Sequence, residues 1–408
     1  MSDRKKIIFL THYFPPEVNA PANRTFEHAR QWAENIDITV ITNFPNHPDG
    51  KIFPGYKNKL IQKEKMGKID VIRLWTFITP NEGFVLRTLN YVIFMLVSVF
   101  YVFFSRIKFD LVISTTPQFF CGLAGKYVAK LRRKPFILEL RDLWPESIVA
   151  VGALQNRRII SFLEKIEMNL YKSADKIVSV TKSFKNSLVN RGVNGEKILV
   201  FFNGVDTDTF GIESKINDNE LAGFIENGFI IGYIGTIGMA HSIITLVDAA
   251  EKLKNSDIKF VVVGSGAERA KLEQEIETRE LENIRIFPIQ PKSDIPAIIN
   301  GLDMFCVHLK RSDLFKTVIP SKIFEGMIMK KPILMGVEGE SRKIIEDANC
   351  GISFEPEDSG DLADQILKFR NDGFHSEEMG NNGYKYVIEN FDRKRIAAEF
   401  LSVIKETM

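Results

Sequence analysis

The chain has 408 residues, of which 45% are hydrophobic and 26% charged; this is the balance of a folded globular protein with two domains of ordinary size. Its three cysteines form no CxxC pair, so the composition excludes a disulfide framework and indicates a reducing compartment. Residues 1–202 carry 30 Lys and Arg against 17 Asp and Glu, whereas residues 203–408 carry 24 Lys and Arg against 35 Asp and Glu. The excess of positive charge in the first half predicts an anionic partner such as nucleic acid or membrane.

In the first half, short apolar runs alternate with helical patterns. The predicted strands are Lys6–Thr11, Ile36–Thr42, Asp70–Leu74, Asp110–Ser114, Lys134–Leu140 and Lys176–Val180. A helix is predicted over Arg24–Glu34. Strands separated by helices of this length predict parallel βαβ units.

The most apolar segment is Phe84–Ser105, and its 14 residues Tyr91–Phe104 carry no charge. This run is shorter than the ~20 residues with which a helix spans a bilayer. Its aromatic side chains and flanking basic residues favour a helix at the membrane interface, with an anionic membrane surface contacted through residues 84–108. A buried crossover helix and a spanning helix are the alternatives.

The second half starts the same alternation again. Its predicted strands are Phe229–Tyr233, Lys259–Val263, Ile284–Phe287, Met304–His308, Pro332–Met335 and Gly351–Phe354. The break lies near Phe202–Asp206, where asparagine and glycine favour a turn. The fold class is therefore α/β with two Rossmann-like domains, 1–202 and 203–390, followed by a helix in the segment 391–408.

Two glycine-rich turns follow strands of the second domain, one at Gly235–Gly238 and one at Gly264–Gly266. Glycine at a strand-to-helix turn lets backbone N–H groups approach a phosphate closely. Neither turn is followed by the Gly-Lys-Ser/Thr of a P-loop. Tight turns that bind no ligand are the alternative.

The most informative motif is Pro320–Gly326 (PSKIFEG). Ser321 is the expected N-cap of a helix, so Lys322 lies in the first turn, where the helix dipole disfavours a cation unless an anion binds there. Glu325 shares a face with Lys322 and has the chemistry to accept hydrogen bonds from the two hydroxyls of a ribose. A Lys–Glu surface pair is the alternative.

These features together resemble the retaining glycosyltransferases of family 4, which have the GT-B fold. The matching segments of the second domain are Asn203–Phe210, the Gly235 turn, Phe260–Gly266, Asn283–Phe287 and Pro320–Glu325. In the first domain, Tyr13–Glu17 (YFPPE) and Leu140–Ser147 (LRDLWPES) resemble a narrower branch that transfers N-acetyl-L-fucosamine in bacterial O-antigen and capsule assembly. The resemblance implies two domains facing across a cleft that binds the donor, and a final helix, Arg393–Met408, that returns to the first domain.

The resemblance also implies the donor contacts. Glu325 would bind the ribose, Lys322 and the Gly235 turn would bind the diphosphate, and the backbone near Ile289 would meet the base. The other residues implied at the donor site are Ser321, Ile323, Thr236, Gly264, Ser265 and Gly266.

Two departures from the family pattern concern charge. Thr317 stands where many members have a second glutamate, and Thr236 and His241 stand where Arg and Lys are common. We therefore expect Lys322, His241 or Arg24 to neutralise the diphosphate.

In the first domain, Arg141 and Asp142 stand where many members carry a histidine. Asp142 is the candidate to accept the proton of the acceptor hydroxyl, and Arg141 the candidate to orient it or to bind phosphate. The alternative is a structural Arg–Asp pair that caps the following turn. Glu17 and Arg24 are candidate acceptor contacts, with a solvated loop as the alternative.

The six histidines show no metal-ligand spacing, and no acidic pair of the DxD type lies in a suitable loop. We expect no cofactor and no metal, with a UDP-sugar as the donor substrate. Helix N-termini and cations would then stabilise the leaving diphosphate.

The predicted function is retaining transfer of N-acetyl-L-fucosamine, or a related N-acetylated amino sugar, to a sugar on polyprenyl diphosphate. The protein would be cytoplasmic and peripheral on the inner face of the bacterial plasma membrane. A UDP-sugar 2-epimerase of the same fold and a non-catalytic nucleotide-sugar-binding protein are the alternatives. Nucleic acid is not expected, because the basic residues are not interleaved with aromatic residues in a recognisable module.

Overall fold

The computed structural model describes residues 4–47, 50–79, 84–116, 118–150, 152, 154–210, 215–372 and 376–408. The chain divides into two compact units. Unit 1 comprises Met1–Phe202 and Lys394–Met408, and unit 2 comprises Asn203–Arg393. The predicted boundary between residues 202 and 203 coincides with this division, whereas the final segment joins unit 1 from residue 394 instead of 391.

Unit 1 has an eight-stranded sheet in the part of the chain that is described. Its strands are β1 (Lys6–Leu10), β2 (Asp37–Asn43), β3 (Ile61–Met66), β4 (Ile69–Leu74), β5 (Leu111–Thr115), β6 (Phe136–Leu140), β7 (Lys176–Ser179) and β8 (Ile198–Val200). Their spatial order is β3-β4-β2-β1-β5-β6-β7-β8. All pairs are parallel except β3 with β4, which is antiparallel.

The helices between these strands are α1 (Ala20–Trp32), α2 (Phe84–Phe104), α3 (Phe119–Arg132), α4 (Glu146–Ala150), α5 (Arg157–Ser173) and α6 (Lys182–Asn190). Helix α1 begins four residues before the predicted Arg24. The side chain of Asn19 accepts a hydrogen bond from the Ala22 N–H at 2.9 Å, and a proline lies in the first turn.

Two strands of unit 1 were not predicted. In β3, Ile61–Met66 carries four polar residues in six and lies at the edge of the sheet, so its sequence shows no apolar run. The strand β8 is only three residues long and follows a short 3₁₀ turn, Gly195–Lys197. Both strands lie at an edge of the sheet, where a strand buries little apolar surface, so the sequence pattern indicates them only weakly.

Helix α2 is longer than its uncharged core predicts. It has 21 residues, which is about 31 Å at 1.5 Å per residue, and by length and composition Leu86–Phe104 is able to cross a membrane. The expectation that this segment is too short to span is therefore wrong. Only 22% of its most apolar window is buried, so the alternative of a buried crossover helix is also wrong.

The buried residues of α2 recur every four positions and form one narrow stripe: Asn90, Phe94, Ser98 and Val102. This stripe packs on unit 1, where α2 contacts α3 and β4. Six large apolar side chains outside the stripe, here called the α2 exposed face, are open to solvent: Leu86, Leu89, Leu96, Phe100, Phe103 and Phe104. The helix is thus attached to its unit along one side and presents apolar surface on the others.

Unit 2 has a six-stranded parallel sheet in its described residues, ordered β11-β10-β9-β12-β13-β14. The strands are β9 (Phe229–Ile234), β10 (Ile258–Val263), β11 (Ile284–Phe287), β12 (Met304–His308), β13 (Ile333–Gly336) and β14 (Gly351–Ser353). Its helices are α7 (Thr207–Phe210), α8 (Asn219–Ile225), α9 (Ile244–Lys252), α10 (Arg269–Thr278), α11 (Ile295–Asn300), α12 (Lys322–Ile328), α13 (Glu340–Ala348), α14 (Ser359–Asp372) and α15 (Ser376–Phe391). Each predicted strand of this half is present, with ends that differ by one residue or less.

The last helix, α16 (Arg393–Thr407), completes the core of unit 1. Its predicted apolar positions are all buried: Ile396, Ala397, Phe400, Leu401 and Ile404. The indole N–H of Trp32 donates to the Ala397 carbonyl at 2.8 Å, and the rings of Trp32 and Phe400 lie 4.9 Å apart. The segment that ends the chain is therefore part of the first unit.

A buried ion pair joins α1 to β6. Arg24 Nε lies 2.8 Å from Glu139 Oε1, and both side chains are almost fully buried. Burial alone would raise the pKa of Glu139, but Arg24 and Arg141 outweigh it, so the pKa lies below its usual value. The Arg24 guanidinium also donates to the carbonyls of Phe201 and Phe202, which ties β8 to the same centre.

Replacing Arg24 with methionine removes the main ion-pair partner of the buried Glu139 carboxylate, at a cost of about 3–5 kcal/mol in the free energy of unfolding. Urea unfolding followed by circular dichroism measures the loss. Lys65→Met is the matched control, because its pair with Asp70 is exposed and contributes at most ~1 kcal/mol. If both variants unfold at the same urea concentration, the buried pair does not hold unit 1 together.

Candidate active site

In unit 2 the two glycine turns pack backbone to backbone. Gly235 directly follows β9 with φ +141°, and a Cβ on Gly264 would lie 1.9 Å from the Gly235 carbonyl oxygen. A Cβ on Gly266 would lie 2.2 Å from the Ile237 oxygen. Side chains are excluded at these positions because the turns themselves fill the space. Thr236 and Ser265 are exposed beside them.

The ammonium group of Lys322 lies against this pair of turns. Its Nζ is 3.8 Å from the centroid of the Tyr233 ring and would be 2.7 Å from a Cβ on Gly235. The atom is buried and has no hydrogen-bond partner in the described structure. Burial lowers the pKa of Lys322 to about 8, although Glu325 and Cys306 oppose the shift. An anionic oxygen at the turn would supply the acceptor that this group lacks.

His241 lies next to Lys322, and its charge state differs from the expected one. Burial, and then the charge of Lys322, lower the pKa of His241 to about 4, so the ring is neutral at pH 7. Its buried Nδ1 has no partner in the described structure. Of the three candidates to neutralise a diphosphate, His241 is therefore a neutral hydrogen-bonding group at pH 7 in this structure.

His308, which the sequence did not single out, holds the His241 backbone in place. His308 Nδ1 donates to the His241 carbonyl at 2.8 Å, and its Nε2 accepts from the Glu357 N–H at 3.0 Å. Burial lowers the pKa of His308 to about 4, which fits this neutral donor–acceptor role. Its position at the end of β12 was visible in the sequence, but its partners were not.

Glu325 lies on α12, one turn after Lys322, and is half-buried. Burial raises the pKa of its carboxyl, whereas Lys322, Arg393 and Lys292 act in the opposite direction. In the described structure this carboxylate accepts no hydrogen bond, so its oxygens are available to a pair of hydroxyls. Lys322, Glu325 and the glycine turns are thus brought together as predicted.

Two residues of the same motif do not act as expected. Ser321 takes the N-cap position of α12 but makes no capping hydrogen bond with its side chain. Ile323 is completely buried in the core and its N–H is bonded to the Pro320 carbonyl, so the expectation that it contacts the donor is wrong. Ile289, expected near the base, is 69% exposed.

A separate pocket lies in unit 1 and contains Asp142. This Asp142 pocket has a volume of about 160 Å³, and five of its eleven lining residues are aromatic. They lie in the loop after β1, in α2, at the start of α3 and in the loop after β6. The ring of Trp144 stacks on Phe119 with centroids 4.2 Å apart. Gln118 is buried, and its Nε2 has no partner among the described residues. Trp144 belongs to a motif that the sequence highlighted, whereas Gln118 gave no signal.

The pKa of the Asp142 carboxyl group is raised toward neutral pH. Burial raises its pKa to about 6, even though hydrogen bonds from the Ser147 hydroxyl and the Leu143 N–H act to lower it. The neighbouring charge of Glu146 raises it further. Asp142 is therefore ionised at pH 7 and a stronger base than an ordinary aspartate.

Arg141 does not orient Asp142. Its guanidinium donates to the carbonyls of Pro21 at 3.3 Å and Ala20 at 3.4 Å, and it does not line the Asp142 pocket. The expectation that Arg141 positions the catalytic carboxylate is wrong, and so is the alternative of an Arg–Asp pair. Ser147 takes that role instead.

Glu17 and Arg24 have structural roles. Glu17 is 1% exposed and accepts hydrogen bonds from the N–H groups of Asn46 and His47, each at 2.9 Å. Arg24 is 3% exposed and pairs with Glu139. The expectation that these residues touch an acceptor is wrong, because the interior of unit 1 occupies both side chains. The same burial excludes Arg24 as a free charge for a diphosphate.

Two family models match the chain. The model described as Glycosyltransferase Family 4 matches residues 21–209, and the model described as Glycosyl transferases group 1 matches residues 215–386. The first falls within unit 1 except for its last residues, and the second falls within unit 2.

Relatives and solved structures agree with these matches. WcaI of Escherichia coli (strain K12), assigned as a colanic acid biosynthesis glycosyl transferase, is 25% identical over 328 residues, which is 78% of this chain and 80% of that protein. The capsular polysaccharide biosynthesis glycosyltransferase CapM of Staphylococcus aureus is 23% identical over 308 residues, 74% of this chain and 77% of that protein. Anabaena HepE, solved with UDP and glucose, has a TM-score of 0.71 at 16% identity and covers 98% of this chain and 100% of its own. The chain is a glycosyltransferase of the GT-B fold, in which a family 4 region precedes a group 1 region.

Proposed function

We propose that the protein transfers a sugar from a UDP-sugar to a sugar carried on polyprenyl diphosphate, in the assembly of a bacterial surface polysaccharide such as O-antigen or capsule. The observation that carries the proposal is the Lys322 ammonium, buried without a partner against the Gly235 turn. A diphosphate supplies the acceptor oxygens that this group lacks.

The relatives support a UDP-sugar donor and a role in surface polysaccharide assembly. HepE was solved with UDP and with UDP-glucose. WcaI and CapM are assigned to colanic acid and capsular polysaccharide, and a poly(ribitol-phosphate) alpha-N-acetylglucosaminyltransferase of Staphylococcus aureus is 23% identical over 257 residues. We infer an N-acetylated amino sugar as the donor, with N-acetyl-L-fucosamine as the first candidate.

Unit 2 would stabilise the leaving group. As the bond between the anomeric carbon and the diphosphate oxygen breaks, negative charge grows on the diphosphate, and the Lys322 ammonium would stabilise that charge. The N–H groups of Gly235, Ile237 and Gly264 donate to backbone carbonyls, so only the other N–H groups of the two turns would contribute. Glu325 would accept hydrogen bonds from the ribose hydroxyls and fix the donor in place. We propose that transfer retains the anomeric configuration by displacement on the same face and needs no divalent metal.

Unit 1 would hold the acceptor sugar in the Asp142 pocket. The stacked rings of Trp144 and Phe119 offer an apolar platform for the face of a sugar ring, and Gln118 Nε2 offers an unused donor. Asp142 would accept the proton of the attacking hydroxyl as the new bond to the anomeric carbon forms. Tyr91 and Arg87 also line this pocket, so the acceptor would bind beside the first turns of α2.

We further propose that the protein works at the cytoplasmic face of the plasma membrane, with the α2 exposed face in the lipid interface. Apolar side chains of this size gain free energy when they leave water for lipid. A lipid-linked acceptor would then reach the Asp142 pocket without leaving the membrane.

Mass spectrometry of lipid products tests the transfer. Purified protein is incubated with a panel of UDP-sugars and polyprenyl-diphosphate-linked N-acetylglucosamine, with and without EDTA. We expect one donor to give a lipid heavier by one sugar, insensitive to EDTA. Glu325→Ala should lower kcat/KM roughly 10–100-fold, as the loss of a charged hydrogen-bond acceptor implies.

Glu277→Ala, on the exposed side of α10, is the control for that variant and should retain full activity. If Glu325→Ala forms the heavier lipid as fast as the wild type does, Glu325 does not bind the ribose. A UDP-sugar changed at C2, with no heavier lipid, would identify a 2-epimerase instead.

The pH profile tests Asp142. Because its pKa lies at about 6, kcat/KM should fall as the pH drops through that value, and Asp142→Asn should lose about 10²–10⁴-fold and abolish this acid limb. Glu146→Gln should keep activity but move the limb to lower pH, since the Glu146 charge raises the pKa of Asp142. An unchanged limb in a folded Asp142→Asn protein rules the residue out as the base.

Vesicle co-sedimentation tests α2. Phe100→Ser/Phe103→Ser removes two side chains that are 60% and 54% exposed, and we expect membrane binding to weaken at least ~10-fold. Leu367→Ser/Tyr384→Ser on unit 2 is the control. Full co-sedimentation of the α2 variant would exclude the interfacial role.

A further inference from the structure

A second pocket of unit 1 lies at the opposite end of α2 from the Asp142 pocket. It has a volume of about 460 Å³ and lies where β1, β5 and β6 begin. Six cationic side chains line it, and together they define the basic pocket: Arg4, Lys5, Lys6, Lys108, Arg132 and Lys134. The 21 residues of α2 separate its two ends by about 31 Å, so this pocket is distinct from the proposed acceptor site.

Positive charge in the basic pocket is largely uncompensated. Asp110 is the one carboxylate in its lining, and it accepts a hydrogen bond from the Lys6 N–H at 2.9 Å and lies 3.9 Å from Lys134 Nζ. Among the described residues, the cations of this lining form two ion pairs, Arg4 with Asp37 at 3.2 Å and Lys134 with Asp110 at 3.9 Å, and the side chains of Lys5, Lys6 and Lys108 form none. The remaining excess of positive charge would attract a multiply charged anion.

Arg132 links the basic pocket to the end of α2. Its Nη2 donates to the carbonyl of Val102, at 2.8 Å, and to that of Ser105, the first residue after the helix. Its Nε is buried and has no partner among the described residues, so one donor of the guanidinium is left for a further acceptor.

The basic pocket adjoins the apolar surface of the same helix. Phe103 and Phe104 are 54% and 76% exposed, and Lys108 lies four residues after Phe104 in the chain. Beside them Leu60 and Ile61 border an apolar groove of about 460 Å³ with Phe100 and Phe104. Apolar side chains followed at once by cations are the arrangement that a membrane interface stabilises, with acyl chains against the first and phosphates against the second.

We propose that the basic pocket binds the phosphate of an anionic phospholipid headgroup and so anchors the carboxyl-terminal end of α2 to the membrane. The inference rests on the membrane-associated function proposed above. With the headgroup held at one end and the Asp142 pocket at the other, α2 would lie along the membrane surface. The lysines that face the headgroup are Lys5, Lys6 and Lys108.

The test is co-sedimentation with vesicles of phosphatidylcholine alone and of phosphatidylcholine mixed with phosphatidylglycerol. Lys5→Ala/Lys6→Ala/Lys108→Ala should bind the anionic vesicles on the order of 100-fold more weakly, since each lysine near such a surface is worth roughly a fivefold change. Binding to neutral vesicles should not change. The charge-matched control is Lys252→Ala/Lys254→Ala/Lys271→Ala on unit 2, which should bind like the wild type.

Three outcomes overturn the proposal. The first is that the triple variant binds anionic vesicles as well as the wild type does. The second is that the control loses affinity equally, which would indicate attraction by overall charge. The third is that inorganic phosphate at constant ionic strength displaces the protein from both kinds of vesicle alike, which would indicate a site for a soluble anion.

An assay of sugar transfer to a water-soluble acceptor, one that carries a short lipid, distinguishes this inference from the proposed function. If the triple variant retains that transfer activity but no longer binds anionic vesicles, both proposals stand. If the wild type binds anionic vesicles through these lysines but transfers no sugar, the headgroup site stands and the transferase proposal fails.

Discussion

The close approach of two backbone turns governs the chemistry of unit 2. Because Gly235 and Gly264 meet without side chains, the space above them is left to the end of Lys322, and the Tyr233 ring forms its floor. A buried ammonium without an acceptor raises the free energy of the folded unit. Ligand binding would remove that cost, which makes the destabilised lysine a source of affinity for an anion. Any side chain at Gly264 would push the turns apart and destroy this arrangement.

Burial sets the charge state of the groups around both sites. It keeps His241 and His308 neutral, brings the pKa of Lys322 down to about 8 and brings that of Asp142 up to about 6. The Lys322 ammonium of unit 2 therefore lies beside neutral hydrogen-bonding rings, and unit 1 has a carboxylate of raised basicity. These are the properties required of a group that stabilises a leaving anion and of a group that accepts a proton.

The sequence predicted the parts of the fold that bury the most apolar surface. The central strands of both sheets, the glycine turns and the juxtaposition of Lys322 with Glu325 follow from local patterns, because strand order and helix period bring these residues to one edge. The edge strand β3 was missed because polar residues dominate it. Glu17, Arg24 and Ile323 were misjudged because a charged or motif residue gives no indication of which neighbours surround it.

Pockets were harder to predict than motifs, because the sequence does not show which residues become neighbours in space. The Asp142 pocket is assembled from α2, α3 and the loop after β6, which are far apart in sequence. Neither Gln118 nor the stacking of Trp144 on Phe119 can be recognised before those elements are packed. Motif reasoning located Asp142 but assigned its orientation to the adjacent Arg141, whereas a residue five positions on, Ser147, provides it.

The return of α16 to unit 1 affects how the protein is made. The core around Trp32 stays open until Phe400 and Ile404 have been synthesised, which is after every residue of unit 2. On the ribosome, unit 2 can therefore fold as a continuous segment while the core formed by the first 202 residues still lacks its last helix. Until then the faces of Trp32 that Phe400 covers in the folded unit remain exposed, so the nascent chain carries uncovered apolar surface over that interval.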